Sequence, residues 1–128
     1  VANPAFLLDS NICIYILEGF SEGLRTRVQQ CAPGELAASS IVYAEVMRGI
    51  DQGHSTALRA AERLFKLVPV LPFDDAAALR YRDVPFRRGS FDRLIAAHAL
   101  ALDLTVVTAN TDDFADVPGL RIENWTLP

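Results

Sequence analysis

The 128-residue chain is poor in soft metal ligands, with two cysteines, two histidines and one methionine. Cys13 lies within the apolar-looking stretch Ile12-Cys13-Ile14-Tyr15, and Cys31 follows Gln29-Gln30. Neither spacing makes a disulfide framework or a thiolate zinc site. Two reduced, packed thiols in a cytoplasmic protein are expected. Lysine is nearly absent too: Lys66 is the only one, and every other basic residue is arginine. Arginine suits bidentate phosphate recognition. No apolar run approaches the ~20 residues of a membrane span. No basic start followed by a signal-type apolar region is present, so secretion is not expected. The missing Gly-x-x-x-x-Gly-Lys-Ser/Thr and Gly-x-Ser-x-Gly patterns disfavour a P-loop and a serine nucleophile elbow. Nor is there an excess of positive charge. The net charge of −4 argues against nucleic-acid binding through bulk electrostatics. Its distribution matters more, because a carboxylate metal site concentrates negative charge that a bound ion neutralises.

What remains is ordinary globular material. A hydrophobic share of 51% gives one domain, residues 1–128, with a sizeable core. Residues 5–9 read as a buried strand, followed by a helix over 12–18 capped by Ser10 or Asn11 and stopped by Gly19. A short helix over 22–30 ends at Pro33-Gly34, and 35–38 is a second strand. Ser39 or Ser40 caps the next helix, with Glu45 one turn or slightly more inside it. Residues 55–67 carry Leu58, Ala61, Leu64 and Phe65 at helical spacing. Pro69 and Pro72 make 68–73 an edge strand. Asp74 or Asp75 caps a helix over 76–82, 84–90 breaks the pattern, and 91–102 is the most strongly helical stretch. Residues 104–108 form a strand, and 120–125 contain a last short one. Alternating strands and helices imply an α/β fold, a three-layer α/β/α sandwich with a mostly parallel central sheet.

Acids and amides recur where strands hand over to helices: Asp9, Glu45, Asp92 and the Asn110–Asp113 cluster. Ligands bind at the carboxyl ends of strands in an open parallel sheet, so residues distant in sequence can converge there. Converging carboxylates repel one another unless a cation sits among them. Oxygen donors without His or Cys point to Mg²⁺ or Mn²⁺, and such an ion most naturally handles a phosphodiester. Each acid also has a plainer reading. Asp9 is placed like a helix cap, although Ser10 and Asn11 leave it free for another role. Asp92 lies in a first helical turn, where a carboxylate complements the macrodipole. Glu45 is embedded in apolar neighbours, which costs desolvation unless something positive pairs with it; otherwise it is exposed near Arg48 or Arg25. Loops like 108–114 are often only turns. His98 is expected to be packed in the core, and His54 to be a plain loop residue.

Four segments together resemble the PIN-domain ribonucleases, specifically the VapC toxins of bacterial toxin–antitoxin pairs. They are Leu7-Leu8-Asp9-Ser10-Asn11, Ser39-Ser40-Ile41-Val42-Tyr43-Ala44-Glu45-Val46, Phe91-Asp92-Arg93-Leu94-Ile95-Ala96 and Val107-Thr108-Ala109-Asn110-Thr111-Asp112-Asp113-Phe114. The resemblance implies Mg²⁺- or Mn²⁺-dependent endonucleolytic cleavage of RNA, leaving a 3′-hydroxyl and a 5′-phosphate. Asp9, Glu45 and Asp92 fall on the three family acids and are the implied metal ligands. The fourth position, often Asp, falls on Asn110, and Asp113 rather than Asp112 is the expected replacement. Arg87 and Arg88, in a loop shorter than the family's, are candidate phosphate contacts; Ser10, Asn11 and Thr108 are candidate substrate contacts. The resemblance also implies homodimerisation and a VapB-type antitoxin, with Ile14, Ile16, Leu17 and Phe20 as a docking face or as core.

Two other readings compete. A receiver-type signalling module lacks support, because Asp9 has no acidic neighbour and no lysine occurs late in the chain. A catalytically weakened PIN-like domain that binds RNA or a protein partner is favoured only by Asn110.

Overall fold

A computed structural model of the chain describes residues 2–19 and 21–127. Its frame is a five-stranded sheet in the order β3-β2-β1-β4-β5, with every neighbouring pair parallel. The strands are β1 (Phe6–Leu8), β2 (Leu36–Ser39), β3 (Val70–Leu71), β4 (Thr105–Val107) and β5 (Ile122–Glu123). The three central strands read as near-continuous apolar runs, as strands covered on both faces must. Leu7, Leu8, Ala37, Ala38, Val106 and Val107 are wholly buried.

Six helices flank the sheet and complete the expected α/β/α sandwich: α1 (Ser10–Glu18), α2 (Glu22–Gln30), α3 (Ser40–Arg48), α4 (Ser55–Leu67), α5 (Asp75–Arg80) and α6 (Phe91–Leu102). Helices α4 and α6 have the bounds their periodicity predicts. Gly19 takes the left-handed conformation (φ 70°) that ends α1. Strand β3 is the proline-flanked edge, and α5 gives way to a 3₁₀ turn at Tyr81–Asp83. Of the four apolar residues at helical spacing in α4, Ala61, Leu64 and Phe65 are buried and Leu58 is 43% exposed.

The caps differ in detail from the sequence reading. Asp9 itself caps α1, its Oδ1 accepting the Ile12 N–H at 2.9 Å, so neither Ser10 nor Asn11 does so. Ser39 caps α3 by accepting from Ile41 N at 3.1 Å, and Asp74 caps α5. His54 is more than a loop residue, because its Nδ1 accepts from Ala57 N at the start of α4.

The chain runs β1, β2, β3 outward to one edge and then returns through α5 and α6 to place β4 against the other side of β1. The order therefore reverses between β1 and β4. In a doubly wound sheet this is where a crevice opens beyond the carboxyl ends. Asp9 follows β1 there and Thr108 follows β4. The two ends are tied by Asp9 N donating to Val107 O at 3.1 Å.

Candidate active site

Asp9 is 4% exposed at the floor of this crevice. Besides capping α1, its carboxylate accepts the Thr108 hydroxyl. Burial pushes its pKa up to about 6, against the lowering effect of those two bonds and with help from the charges of Asp92 and Asp113. Glu45 projects from α3, one and a half turns in, and is half-buried. Its carboxyl is also raised, first by burial and then by Asp92 and Asp9, while the Ser10 hydroxyl donates to it. Its Oε1 is inaccessible and has no hydrogen-bond partner. A buried carboxylate oxygen left bare costs free energy and marks a place where a partner belongs. Neither Arg25 nor Arg48 pairs with Glu45 among the described residues.

Asp92, second residue of α6, is raised by burial and by Asp113, and held back by Arg93 and Arg87. Asp113 ends the 3₁₀ turn Thr111–Asp113. Four carboxylates from β1–α1, α3, α6 and the loop after β4 thus share one electrostatic neighbourhood. Among the described residues, no three acidic, histidine or cysteine side chains are drawn into a ready-made cage. The donor chemistry fits a hard divalent ion: oxygen ligands only, one of them orphaned, in a pocket that disfavours uncompensated negative charge.

The remaining expected site residues separate into distinct roles. Asp113 joins the cluster, whereas Asp112 and Asn110 are exposed. Asn110 contributes through its backbone: its N–H donates to Thr108 Oγ1 at 2.9 Å and its carbonyl accepts from Asp113 N at 3.0 Å. Thr108 is wholly buried, so its hydroxyl orients Asp9 and offers no face to a substrate. The Ser10 hydroxyl is engaged by Glu45, and Asn11 is exposed on the first turn of α1. Arg87 reaches Asp113 at 3.9 Å and Asp116 at 4.0 Å, both long and half-exposed pairs. Arg88 is exposed.

Arg93 is the residue the sequence reading passed over. It is wholly buried beside Asp92, pairs with Asp116 at 2.8 Å, and donates to the carbonyls of Asp113 (3.1 Å) and Pro85 (3.4 Å). It pins the two loops that flank the site. The signal was available: a charged residue inside the Ala- and Leu-rich α6 poses the same desolvation question as Glu45.

His98 is buried away from these acids, with Nδ1 2.8 Å from Ser39 Oγ and its ring edge-on to Phe73. Of the expected docking residues, Ile14, Ile16 and Leu17 are partly buried against the core, and Ile16 lines an open apolar depression of about 490 Å³ with Val28, Leu64 and Pro69. Phe20 lies outside the described residues. Cys13 and Cys31 are both unpaired, the first buried and the second partly so.

Residues 6–120 match the family model described as PIN domain. The chain belongs to the PIN-domain family. Its similarity is to the VapC members. The tRNA(fMet)-specific endonuclease VapC of Shigella flexneri is 32% identical over 130 residues, covering 94% of this chain and 98% of that protein. Among solved structures, DNA-bound VapBC from Salmonella typhimurium superposes with a TM-score of 0.85 at 30% identity, covering 95% of this chain and 98% of that one. VapBC2 from Rickettsia felis, bound to a promoter DNA fragment, gives 0.84 at 26% identity over 94% and 98%. The α/β/α frame of this chain is the VapC fold.

Proposed function

We propose that this PIN domain is a metal-dependent endoribonuclease, the toxin of a VapBC-type pair, acting in the cytoplasm. The observation that carries the reading is the partnerless, inaccessible Glu45 Oε1 beside two further acids of raised pKa, at the crevice where a parallel sheet reverses its order. Asp9, Glu45 and Asp92 would hold Mg²⁺ or Mn²⁺. When bound, such an ion supplies positive charge against a phosphate and lowers the pKa of water.

The chain's own groups supply the positioning. The Thr108 hydroxyl and Ile12 N–H fix both the tilt and the ionisation of Asp9. Ser10 steadies Glu45, and Arg93 holds Asp113 near Asp92 through its carbonyl. Arg87 and Arg88, exposed beside the acids, suit phosphodiester oxygens. The VapC relative from Shigella is named for tRNA(fMet), which makes tRNA the first substrate class to offer.

A cognate antitoxin of the VapB type follows from the same resemblance, with the depression lined by Ile16, Val28 and Leu64 as its seat, and a homodimer as the assembled toxin. Among the described residues no helix is long and apolar enough to cross a membrane. The test is cleavage of a mixed RNA pool by antitoxin-free protein in Mg²⁺ or Mn²⁺, then in EDTA. Cutting confined to the metal-containing reactions supports the reading. Absence of cutting by folded protein on both pooled RNA and tRNA moves the assignment to the binding-only domain that Asn110 favours.

A further inference from the structure

Between the 3₁₀ turn after α5 and the start of α6, the chain holds two phenyl rings in water. Phe86 is 76% exposed and Phe91 55%. Burying a phenylalanine is among the larger contributions a side chain makes to folding, so two open rings within six residues form a patch with another use. Arg87 and Arg88 stand between them, both exposed, and Arg88 has no ion-pair partner among the described residues. Gly89 turns the loop with φ 71°. Both rings and both arginines line one open depression of about 370 Å³, together with Tyr81 and Leu94. The patch adjoins the acids at two points. Phe91 immediately precedes Asp92, and the Arg87 guanidinium lies 3.9 Å from Asp113.

We propose that this patch is a stacking platform for unpaired RNA bases next to the cleaved phosphodiester. Phe86 and Phe91 take the base faces while Arg87 and Arg88 take the backbone. The inference rests on the ribonuclease reading and adds to it a binding subsite, the four side chains that would hold the strand beside the acids. Aromatic rings interleaved with cations are what an unpaired strand requires, because its bases expose π faces and its phosphates are regularly spaced. A duplex hides those faces in its own stack. A second copy of this chain seated ring-to-ring would set arginine against arginine, whereas a phosphate backbone meets them with opposite charge. The weak Arg87 pairs, long and half-exposed, are easily exchanged for a phosphate.

The experiment is fluorescence anisotropy in EDTA with a labelled single-stranded RNA, the same strand annealed to its complement, and an abasic strand of equal length. The wild type should bind the single strand about 10-fold more tightly than the abasic strand. The Phe86→Ala/Phe91→Ala double variant should lose that advantage, with abasic and duplex binding unchanged. The Phe86→Trp/Phe91→Trp pair should restore it. Equal wild-type affinity for the intact and abasic strands, or no measurable RNA binding, overturns the platform. A dimer that dissociates in the double variant while RNA binding holds assigns the rings to a second copy and also overturns it. Metal-dependent cleavage is scored separately. Cleavage with ring-independent binding removes the platform and keeps the nuclease; ring-dependent binding without cleavage does the reverse.

Discussion

Two neighbouring strands of this sheet end in buried polar groups, and the two ends are built in opposite ways. At the end of β2, Ser39 accepts from Ile41 N and meets His98 Nδ1 at 2.8 Å, inside a shell that includes Phe73. Burial holds the His98 pKa below its ordinary value, so the pair is stable as neutral groups. At the end of β1, burial first and neighbouring carboxylates second raise the pKa of Asp9, Glu45 and Asp92, and Glu45 Oε1 is left bare. One end is satisfied by the fold. The other keeps a buried carboxylate oxygen without a hydrogen-bond partner. Buried polarity alone is therefore a poor guide to function, and unsatisfied buried polarity a better one.

The largest break in this contrast is Asp9→Asn. It keeps a capping oxygen and removes a charge, so RNA cleavage should fall at least about 100-fold while the melting temperature stays level or rises. Asp9→Ala should be equally inactive but lose the cap as well, at a cost of about 1 kcal/mol. A thermal melt and a cleavage time course on both variants separate the two roles of this residue.

Acidity comes next. Because the Asp9 pKa in the folded chain lies near 6, above its ordinary 3.8, the folded state holds the proton more tightly. That contribution to stability is full below about pH 4 and is lost as pH rises through about 6, amounting to up to about 3 kcal/mol. Glu45 and Asp92 shift in the same direction. Denaturant unfolding in EDTA across this range should show stability declining with pH in the wild type and a shallower decline in Asp9→Asn.

Arg93→Leu should cost about 2 kcal/mol through the bonds it makes to the Asp113 and Pro85 carbonyls, and lower cleavage further by releasing the Asp113 loop. Ser39→Ala sharpens the comparison from the satisfied side. It should cost about 1–2 kcal/mol in cap and histidine bonding, yet leave cleavage per folded molecule unchanged. Smallest of all, Asn110→Ala removes only an exposed side chain, and urea midpoints should place it within about 0.5 kcal/mol of wild type.

Much of this could be read from local pattern. The alternation of apolar runs with helical periods fixes an α/β sheet, and the prolines at 69 and 72 identify an edge. Acids following β1 and opening α6 are conspicuous because their neighbours are apolar. Pairing across the sheet is harder to read. Asp9 serves at once as cap and site acid, a double role that spacing cannot separate from the capping options offered by Ser10 and Asn11. Thr108 looks like a loop hydroxyl until β4 lies beside β1 and turns it onto Asp9. Arg93 and the Ser39–His98 pair depend on contacts 20 and 59 residues apart, which no local period encodes. Asn110 shows the reverse: the resemblance places it at an acid position, yet its side chain is exposed, and Asp113 is the acid of this loop whose charge acts on Asp92 and Asp9.

The most direct test is a thermal melt at pH 7 with and without Mn²⁺, on wild type, Asp9→Asn and Ser39→Ala. An incomplete acid site predicts that Mn²⁺ raises the melting temperature of wild type and Ser39→Ala by the same amount and leaves Asp9→Asn unmoved. A wild type indifferent to Mn²⁺, or an Asp9→Asn variant stabilised as much as wild type, would contradict it.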